Sequence, residues 1–277
     1  MLNFLKKKKI IPVIYMSGVI GNIGGLRKGI TLTSIESLLE KAFKIKNSSA
    51  VAITINSPGG SPAQSSLIYK RIIKLAKKNN TKVIFFVEDV AASGGYYIAC
   101  AGNEIYADEN SIVGSIGVIY ASFGFDKLIK KYGIERRIFT TGKYKSILDS
   151  FQKQKLSDIK KLKSIQSEIF KNFKAIVLKS RIGKINRNNK NIFSGSFWTG
   201  KEAIKLGLVD DIGDLKTIME KKFGEKIKYI PIKPKKSFLR GVLSRSYYSK
   251  DLVDTKEIIS DMMGYMESRN IWGRYGF

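Results

Sequence analysis

Short runs of β-branched and aromatic residues alternate with helical patterns along most of this chain, and this alternation constrains the fold more than any other feature. Val51–Ile55 is one such run, and the apolar residues between Pro62 and Lys78 that follow it recur with the spacing of one helical face. Lys82–Val87 begins a second unit of the same kind. Because strands joined through helices lie parallel in one sheet, the pattern predicts an α/β fold with a mostly parallel sheet.

The same reasoning predicts the other elements. We expect further strands at Ile10–Ile20, Glu104–Ala107, Val118–Ala121 and Glu135–Thr140, and further helices at Leu32–Ile45, from near Ser93 onwards, Asp126–Lys131, Ser157–Arg181, Thr199–Leu206 and Gly213–Lys222. Beyond Glu225 the pattern weakens, and one helical patch remains at Lys256–Met266. The chain of 277 residues therefore divides into a basic segment at 1–9, a main domain at 10–224 and a basic tail or oligomerisation arm at 225–277.

The chain has few of the residue types that usually act as a general base, a reactive thiol or a zinc ligand. The chain contains no histidine and a single cysteine, Cys100. This composition excludes a Ser-His-Asp triad, a Cys-His pair, a zinc site built from histidines or clustered cysteines, and an intrachain disulfide. Since no histidine can activate Cys100, we interpret it as a small buried apolar residue. A hydrolase with this composition needs another general base.

The charge balance is strongly basic, with 50 lysine and arginine residues against 23 acidic ones and a formal net charge of +27. Most of the basic residues are lysines spread along the chain, whereas specific nucleic-acid recognition relies more on arginine, so we expect no specific nucleic-acid partner. The block Lys6, Lys7, Lys8 and Lys9 could attract an anionic membrane surface or be a solvated tail. The apolar run Ile10–Ile20 is shorter than the roughly 20 residues that span a bilayer. We therefore expect a cytoplasmic protein, with peripheral attachment at the inner membrane face as one option.

Two glycine-rich turns each follow a predicted buried strand, at Pro58–Gly60 and at Ser93–Gly95. Strand ends of a parallel sheet converge on one edge, and exposed amides at such turns can stabilise a developing negative charge. Ser93 stands between two alanines and two glycines, which leave its hydroxyl unobstructed. It is a candidate nucleophile, and the alternative is a helix-capping serine. Its base would be a carboxylate or a lysine whose pKa is lowered by burial.

Six motifs stand in an order that resembles the signal peptide peptidase A (protease IV) family of Ser-Lys proteases. They are Ile55–Gly60 (INSPGG), Ala92–Tyr97 (ASGGYY), Val113–Val118 (VGSIGV), Thr141–Ser146 (TGKYKS), Phe197–Ala203 (FWTGKEA) and Leu206–Asp210 (LGLVD). The resemblance covers about residues 10 to 224, and it implies that this segment is a Ser-Lys peptidase domain. It implies the superhelical α/β fold of crotonases and Clp proteases, here with a C-terminal extension.

The resemblance also assigns roles to individual residues. It implies that Ser93 is the nucleophile, that Lys145 is the general base, and that Ser115 hydrogen-bonds the lysine. Lys143 is the competing base, but the family's lysine lies three residues after the glycine that matches Gly142. The oxyanion hole would come from the amides of Gly60 and Gly94, with Gly59 as a further contributor. Glu88 and Asp89 are interpreted as solvent-facing or structural, because a carboxylate beside the lysine would raise its pKa.

The function implied by the resemblance is peptide hydrolysis through an acyl-enzyme, without a metal or another cofactor. Expected substrates are signal-peptide remnants or other apolar peptides, and the expected state is a homo-oligomer, because family members form rings. Two other classes share some of these features. A crotonase-like acyl-CoA enzyme would have the same fold and a glycine-lined oxyanion pocket, and a non-catalytic membrane-associated scaffold would use only the basic surface.

Overall fold

The structure is a computed structural model that describes residues 8–22, 29–186, 188–234 and 270–275. The strands in this part of the chain are β1 (Lys9–Ser17), β2 (Val51–Ser57), β3 (Val83–Ala92), β4 (Glu104–Ala107), β5 (Ile112–Gly114), β6 (Phe197–Thr199), β7 (Asp211–Ile212) and β8 (Ile227–Pro231). The helices are α1 (Leu32–Lys44), α2 (Pro62–Asn79), α3 (Gly94–Ala99), α4 (Asp126–Lys131), α5 (Leu156–Ser180), α6 (Gly200–Lys205) and α7 (Leu215–Phe223), with a 3-10 turn at Lys190–Phe193.

These eight strands form one sheet in the order β6-β5-β3-β2-β1-β8; β4 branches from β3, and β7 pairs with β4. The long strand β3 pairs with β2 along one side, while β4 and β5 share its other side. The pairings are parallel except for that between β5 and β6. Parallel neighbours require crossover connections, which is why helices fill the stretches between the first strands.

The core has two layers because alternate residues of a strand point to opposite faces of the sheet. On one face, Ile53 and Phe85 belong to a buried cluster that includes Leu39 of α1 and Ile72 of α2. On the other face, a smaller cluster contains strand residues together with Ile218 and Met219 of α7. The strands are thus buried on both faces, as in other α/β sheets. This rigid sheet fixes the ends of β2 and β3.

A buried ion pair fastens the end of α5 to the sheet. The Arg181 side chain is 1% exposed, and its guanidinium donates to both carboxylate oxygens of Asp210 at 2.8 and 3.1 Å and to the Gly207 carbonyl at 2.8 Å. The Asp210 carboxylate also accepts from Lys184 Nζ and from the backbone N–H of Ile105 in β4. Burial alone would raise the pKa of Asp210, but these hydrogen bonds outweigh it and lower the pKa.

Most of the predicted elements are present, with two errors. Val118–Ala121 and Glu135–Thr140 are not strands; both segments are irregular and largely exposed. In addition, β8 pairs with β1, so the sheet continues past residue 224, where we expected the main domain to end.

The patch Lys256–Met266, along with Lys6 and Lys7, lies outside the described residues. Among the helices of the described ranges, none has the length and hydropathy needed to cross a membrane.

Candidate active site

The first glycine-rich turn follows β2 and is shaped by close backbone contacts. Gly59 and Gly60 have φ angles of +105° and +141°, which favour glycine. The Gly59 carbonyl accepts from the Ile20 N–H at 2.8 Å, and a Cβ on Gly60 would overlap the Ile20 carbonyl. The Gly59 N–H donates to Ser57 Oγ at 3.2 Å. The turn therefore leaves the Gly60 amide as its better candidate for binding an oxyanion.

Ser93 lies at the end of β3, directly before α3, in a strained backbone conformation. Its φ and ψ angles are +51° and −119°, a combination that suits glycine rather than serine. Its N–H donates to the Gly114 carbonyl at 2.8 Å, which fixes the position of the residue against β5. The side chain makes no capping hydrogen bond to α3. The alternative interpretation as a capping serine is therefore not supported.

The amides of Gly60 and Gly94 lie close together beside Ser93. A Cβ placed on Gly94 would stand 3.4 Å from the Gly60 nitrogen, and one placed on Gly59 would stand 3.0 Å from the Gly94 nitrogen and 2.8 Å from Ser93 Cβ. Within the described residues, neither the Gly60 nor the Gly94 N–H has a hydrogen-bond acceptor. Two unpaired N–H groups next to a hydroxyl are what stabilisation of a tetrahedral oxyanion requires.

Ser115 follows β5 and also has a positive φ, +51°. Its N–H donates to the Ser196 carbonyl at 2.7 Å. Its hydroxyl oxygen accepts a hydrogen bond from the Tyr275 hydroxyl at 3.1 Å. The partner of Ser115 in this structure is therefore a tyrosine from the C-terminal end of the chain rather than a lysine.

Ser93 and Ser115 open onto one cleft of about 770 Å³. Its walls are the two glycine-rich turns, the segments after β5 and before β6, and the described C-terminal residues. The lining comprises Pro58, Gly60, Ser93, Ser115, Gly117, Val118, Ile119, Ala121, Ser194, Gly195, Phe197, Asn270, Ile271, Arg274 and Tyr275. A cleft of this volume can hold several residues of an extended peptide.

Lys145 lies outside this cleft. It is exposed, in a turn where its N–H donates to the Gly142 carbonyl at 3.2 Å. No hydrogen bond joins it to Ser93 or Ser115 in the described part of the chain. Its competitor Lys143 is also exposed, with Nζ 5.4 Å from the centre of the Tyr144 ring. The structure thus brings Ser93, Ser115 and the glycine amides together but leaves both lysines apart from them.

Three residues near the site have structural environments that agree with their expected roles. Glu88 and Asp89 are exposed, and Asp89 accepts a hydrogen bond from the Asn56 side-chain amide. The Oδ1 atom of the Asn56 side chain accepts from the Val90 N–H at 3.2 Å, so this pair supports the irregular ends of β2 and β3. Burial raises the pKa of Cys100 to about 12, which keeps its thiol protonated and unreactive.

The sequence does not predict that two aromatic residues, Phe197 and Tyr275, line the cleft. Phe197 belongs to a quoted motif, but nothing in the sequence suggests that its side chain is 47% exposed and faces the cleft. Tyr275 lies 160 positions from Ser115, and no local pattern predicts that they meet.

Comparisons with known proteins bear on the site. The profile of Peptidase family S49 matches residues 75–226, which include Ser93, Ser115 and Lys145. The chain is 47% identical over 271 residues to "Na(+)/H(+) antiporter NhaA" of Brucella abortus, covering 96% of this chain but 37% of that protein. It is 34% identical over 213 residues to "Serine protease SPPA, chloroplastic" of Arabidopsis thaliana, covering 74% of this chain and 31% of that protein. The chain therefore spans about a third of the length of these relatives.

A solved structure shows the same fold. It is a mutant of the 1510-N membrane-bound stomatin-specific protease in complex with a substrate peptide. The two folds superpose with a TM-score of 0.53 at 18% identity, over 86% of this chain and 97% of that one. The expected α/β fold of the crotonase and Clp-protease type is confirmed.

The family profile and the relatives define a domain of a peptidase family. The chain belongs to peptidase family S49. The resemblance to the signal peptide peptidase A family, noted from six short motifs, is confirmed.

Proposed function

We propose that this chain is a serine endopeptidase that uses Ser93 and Lys145 as a catalytic dyad. Neutral Lys145 Nζ takes the proton of the Ser93 hydroxyl while Oγ attacks the scissile carbonyl carbon. The amides of Gly60 and Gly94 stabilise the oxyanion, and the lysine ammonium then protonates the leaving amine. Water repeats the sequence on the acyl-enzyme, which releases the acid and regenerates Ser93. Ser115 accepts a hydrogen bond from the lysine and aims it.

The observation that carries this proposal is the arrangement around Ser93. A serine in a strained backbone, with no capping bond of its own, stands beside two N–H groups that lack an acceptor within the described residues. Backbone strain of this kind costs about 1–3 kcal/mol and persists where the surroundings hold it in place, typically at functional sites. A purely structural serine would explain neither the strain nor the free amides.

The exposed position of Lys145 implies that a second element completes the site. Residues 119–156 carry many exposed apolar side chains: Ile119, Tyr120, Phe123, Phe125, Leu128, Tyr132, Ile134, Phe139, Tyr144, Phe151 and Leu156. An apolar surface of this extent is typical of an interface. We therefore propose a homo-oligomer in which this segment packs against a second copy and brings Lys145 to a Ser93 hydroxyl.

Apolar peptides, including signal-peptide remnants, are the proposed substrates, because the cleft is lined by apolar and small residues such as Pro58, Ile119 and Phe197. Peripheral attachment through the basic N-terminal segment would bring the cleft near peptides released from a membrane.

Labelling with a fluorophosphonate probe tests the nucleophile directly. We expect one modified residue, Ser93, and loss of both labelling and peptide cleavage in Ser93→Ala. Lys145→Met should lose cleavage by at least about 100-fold, since general-base catalysis contributes about 10²–10⁴. The matched control Lys143→Met should retain activity. Labelling at another serine, or loss of activity in Lys143→Met alone, would contradict the assignment.

A further inference from the structure

A second cavity lies on the face of the sheet that is turned away from helices α1 and α2. It measures about 720 Å³, and it shares no lining residue with the cleft beside Ser93. Residues of three neighbouring strands line it side by side: Tyr15 of β1 is paired in register with Thr54 of β2, and Thr54 with Phe86 of β3. A concave site of this size can hold a small ligand or a few side chains of a peptide.

Thr54 gives this cavity a buried polar group that lacks a partner. The residue is 5% exposed, and its Oγ1 atom forms no hydrogen bond within the described residues. Buried hydroxyl groups are nearly always paired, because an unpaired one loses its hydration without compensation. Since Thr54 lines the cavity, a ligand that donates a hydrogen bond there would be the partner of this hydroxyl.

The rim of the cavity is acidic, although the chain as a whole has a formal net charge of +27. The charged lining residues are Glu88, Asp89, Asp108 and Asp214, against the single cation Lys216. In the described part of the chain, none of these carboxylates forms an ion pair. Like charges that are gathered without a counter-ion repel one another, so the cavity favours a cation.

Two other classes of ligand fit this cavity less well. Asp214 caps α7 and accepts from the N–H groups of Lys216 and Thr217 at 2.8 and 3.1 Å, so this helix end does not offer those donors to an anion. No acidic residues of the described ranges are grouped closely enough to hold a metal ion. Carboxylates dispersed around a rim are better suited to an organic cation, whose charge is spread over several atoms.

The exposed ring of Tyr15 favours a planar cation over a compact one. Its side chain is 57% exposed and forms part of the cavity wall. A guanidinium can lie flat on an aromatic ring while its N–H groups reach several acceptors, whereas an ammonium is a strongly hydrated point charge. Glu88 follows Phe86 by two residues and so lies on the same side of β3, where its exposed carboxylate is available to such a group.

We propose that this cavity binds the arginine side chain of a peptide. The guanidinium stacks on the Tyr15 ring, donates a hydrogen bond to Thr54 Oγ1 and pairs with the Glu88 carboxylate at the rim. The site is separate from the cleft beside Ser93, and it does not depend on the proposed function. It is a second contact for peptides that carry arginine, on a chain whose overall charge repels them.

Calorimetric titration with capped tripeptides tests the ligand class. The probes are acetyl-Ala-Arg-Ala-amide and the same peptide with citrulline, whose neutral urea group has nearly the shape of a guanidinium. The protein is the full chain with Ser93→Ala, which prevents cleavage during the titration. We expect the arginine peptide to bind at least about tenfold more tightly than the citrulline peptide. A lysine peptide should bind about two- to fivefold more weakly than the arginine peptide.

Thr54→Val separates a ligand-binding role from a structural one, because it keeps the shape of the side chain and removes the hydroxyl. It should weaken binding of the arginine peptide about two- to tenfold. It should not lower the melting temperature of the free protein, since the hydroxyl has no partner there. A lower melting temperature with unchanged peptide binding would show a structural role and overturn the proposal.

The rim and the wall are tested by single substitutions in the same Ser93→Ala chain. Glu88→Gln should weaken binding of the arginine peptide about two- to fivefold. Its matched control is Glu109→Gln, because Glu109 is also exposed but lies outside the cavity; its change should leave binding unchanged. Tyr15→Leu should weaken binding about two- to fivefold through loss of the aromatic face.

Equal affinity for the arginine and citrulline peptides, or equal losses in Glu88→Gln and Glu109→Gln, would overturn the proposal. Peptide binding that weakens as the protein concentration rises would assign the cavity to a contact between copies and would likewise overturn it. Failure of the wild-type chain to cleave any peptide would refute the proposed function but leave these binding results intact.

Discussion

Ser93 has backbone angles that glycine adopts more easily than any other residue, and this has a measurable cost. We expect Ser93→Gly to be more stable than Ser93→Ala by about 1 kcal/mol. Glycine relieves backbone strain of about 1–3 kcal/mol in the folded state. Its greater conformational freedom in the unfolded chain opposes this gain by about 0.5–1 kcal/mol. Urea unfolding of the two variants measures the difference.

Ser37 offers a control of opposite sign, because it is exposed in the middle of α1, where φ is ordinary. There the glycine variant should be about 1 kcal/mol less stable than the alanine variant. If Ser93→Gly also proved less stable than Ser93→Ala, the strain at Ser93 would not be real.

For single residues, the sequence predicts a role in the site where that role is set by the residues next to it in the chain. Ser93, Gly60 and Gly94 stand next to strand ends, and short motifs around them suffice to predict their proximity. Tyr275 and Phe197 meet only because the C-terminal segment returns to the cleft. No periodicity or spacing encodes such a contact, so the sequence does not predict the aromatic residues that meet at the site.

The junction of α5, β4 and the loop after α6 depends on the Arg181–Asp210 ion pair. We expect Asp210→Asn to destabilise the fold by about 3–5 kcal/mol, because it leaves a buried guanidinium without its counter-charge. Asp211→Asn is the matched control: Asp211 is exposed, and its change should stay within about 0.5 kcal/mol. Thermal or urea unfolding measures both, and equal effects would contradict the role of the pair.

The same substitution should also change the acid response. A carboxyl with a lowered pKa in the folded state contributes stability above its ordinary pKa of about 4, and that contribution is lost as the pH falls further. The stability difference between the wild type and Asp210→Asn should therefore narrow below about pH 4. A difference that stays constant from pH 6 to pH 3 would show that Asp210 is not held ionised by its partners.

Helices and strands were predictable where they have a buried face, because such a face requires apolar residues at a regular spacing. Segments without a buried face were not predicted correctly. In strands β2 and β3 and helices α1 and α2, the apolar residues largely occupy the positions that are buried in the structure. Val118–Ala121 and Glu135–Thr140 have the composition of strands, but they have no neighbouring strand in the described chain. Strand propensity reflects packing on a half-buried surface, so composition alone does not make a strand. The sequence does not predict β8, because its apolar pattern is weak, although it forms one edge of the sheet.

At the scale of the whole molecule, the long helix α5 and the segment before it are the least buried parts of the described chain. Of the 25 residues of α5, only Phe173 and Val177 are buried, and α4 has no buried residue. The exposed segment before α5 carries Lys145, whereas the sheet carries Ser93. The separation is the physical basis for expecting that one copy supplies the hydroxyl and another supplies the amine.

Mixing two inactive variants tests this arrangement. Ser93→Ala retains its lysine and Lys145→Met retains its serine, so if the dyad forms between copies, mixed oligomers contain some complete sites. For random exchange at equal amounts, about one site in four should be complete, and peptide cleavage should recover to about a quarter of the wild-type level. A mixture of Ser93→Ala with the double variant Ser93→Ala, Lys145→Met should stay inactive. Absence of recovery, despite subunit exchange shown by mass spectrometry of isotope-labelled chains, would place both groups of the dyad on one chain. The segment around Lys145 would then have to fold back onto its own cleft, and the exposed apolar residues at 119–156 would need a different explanation.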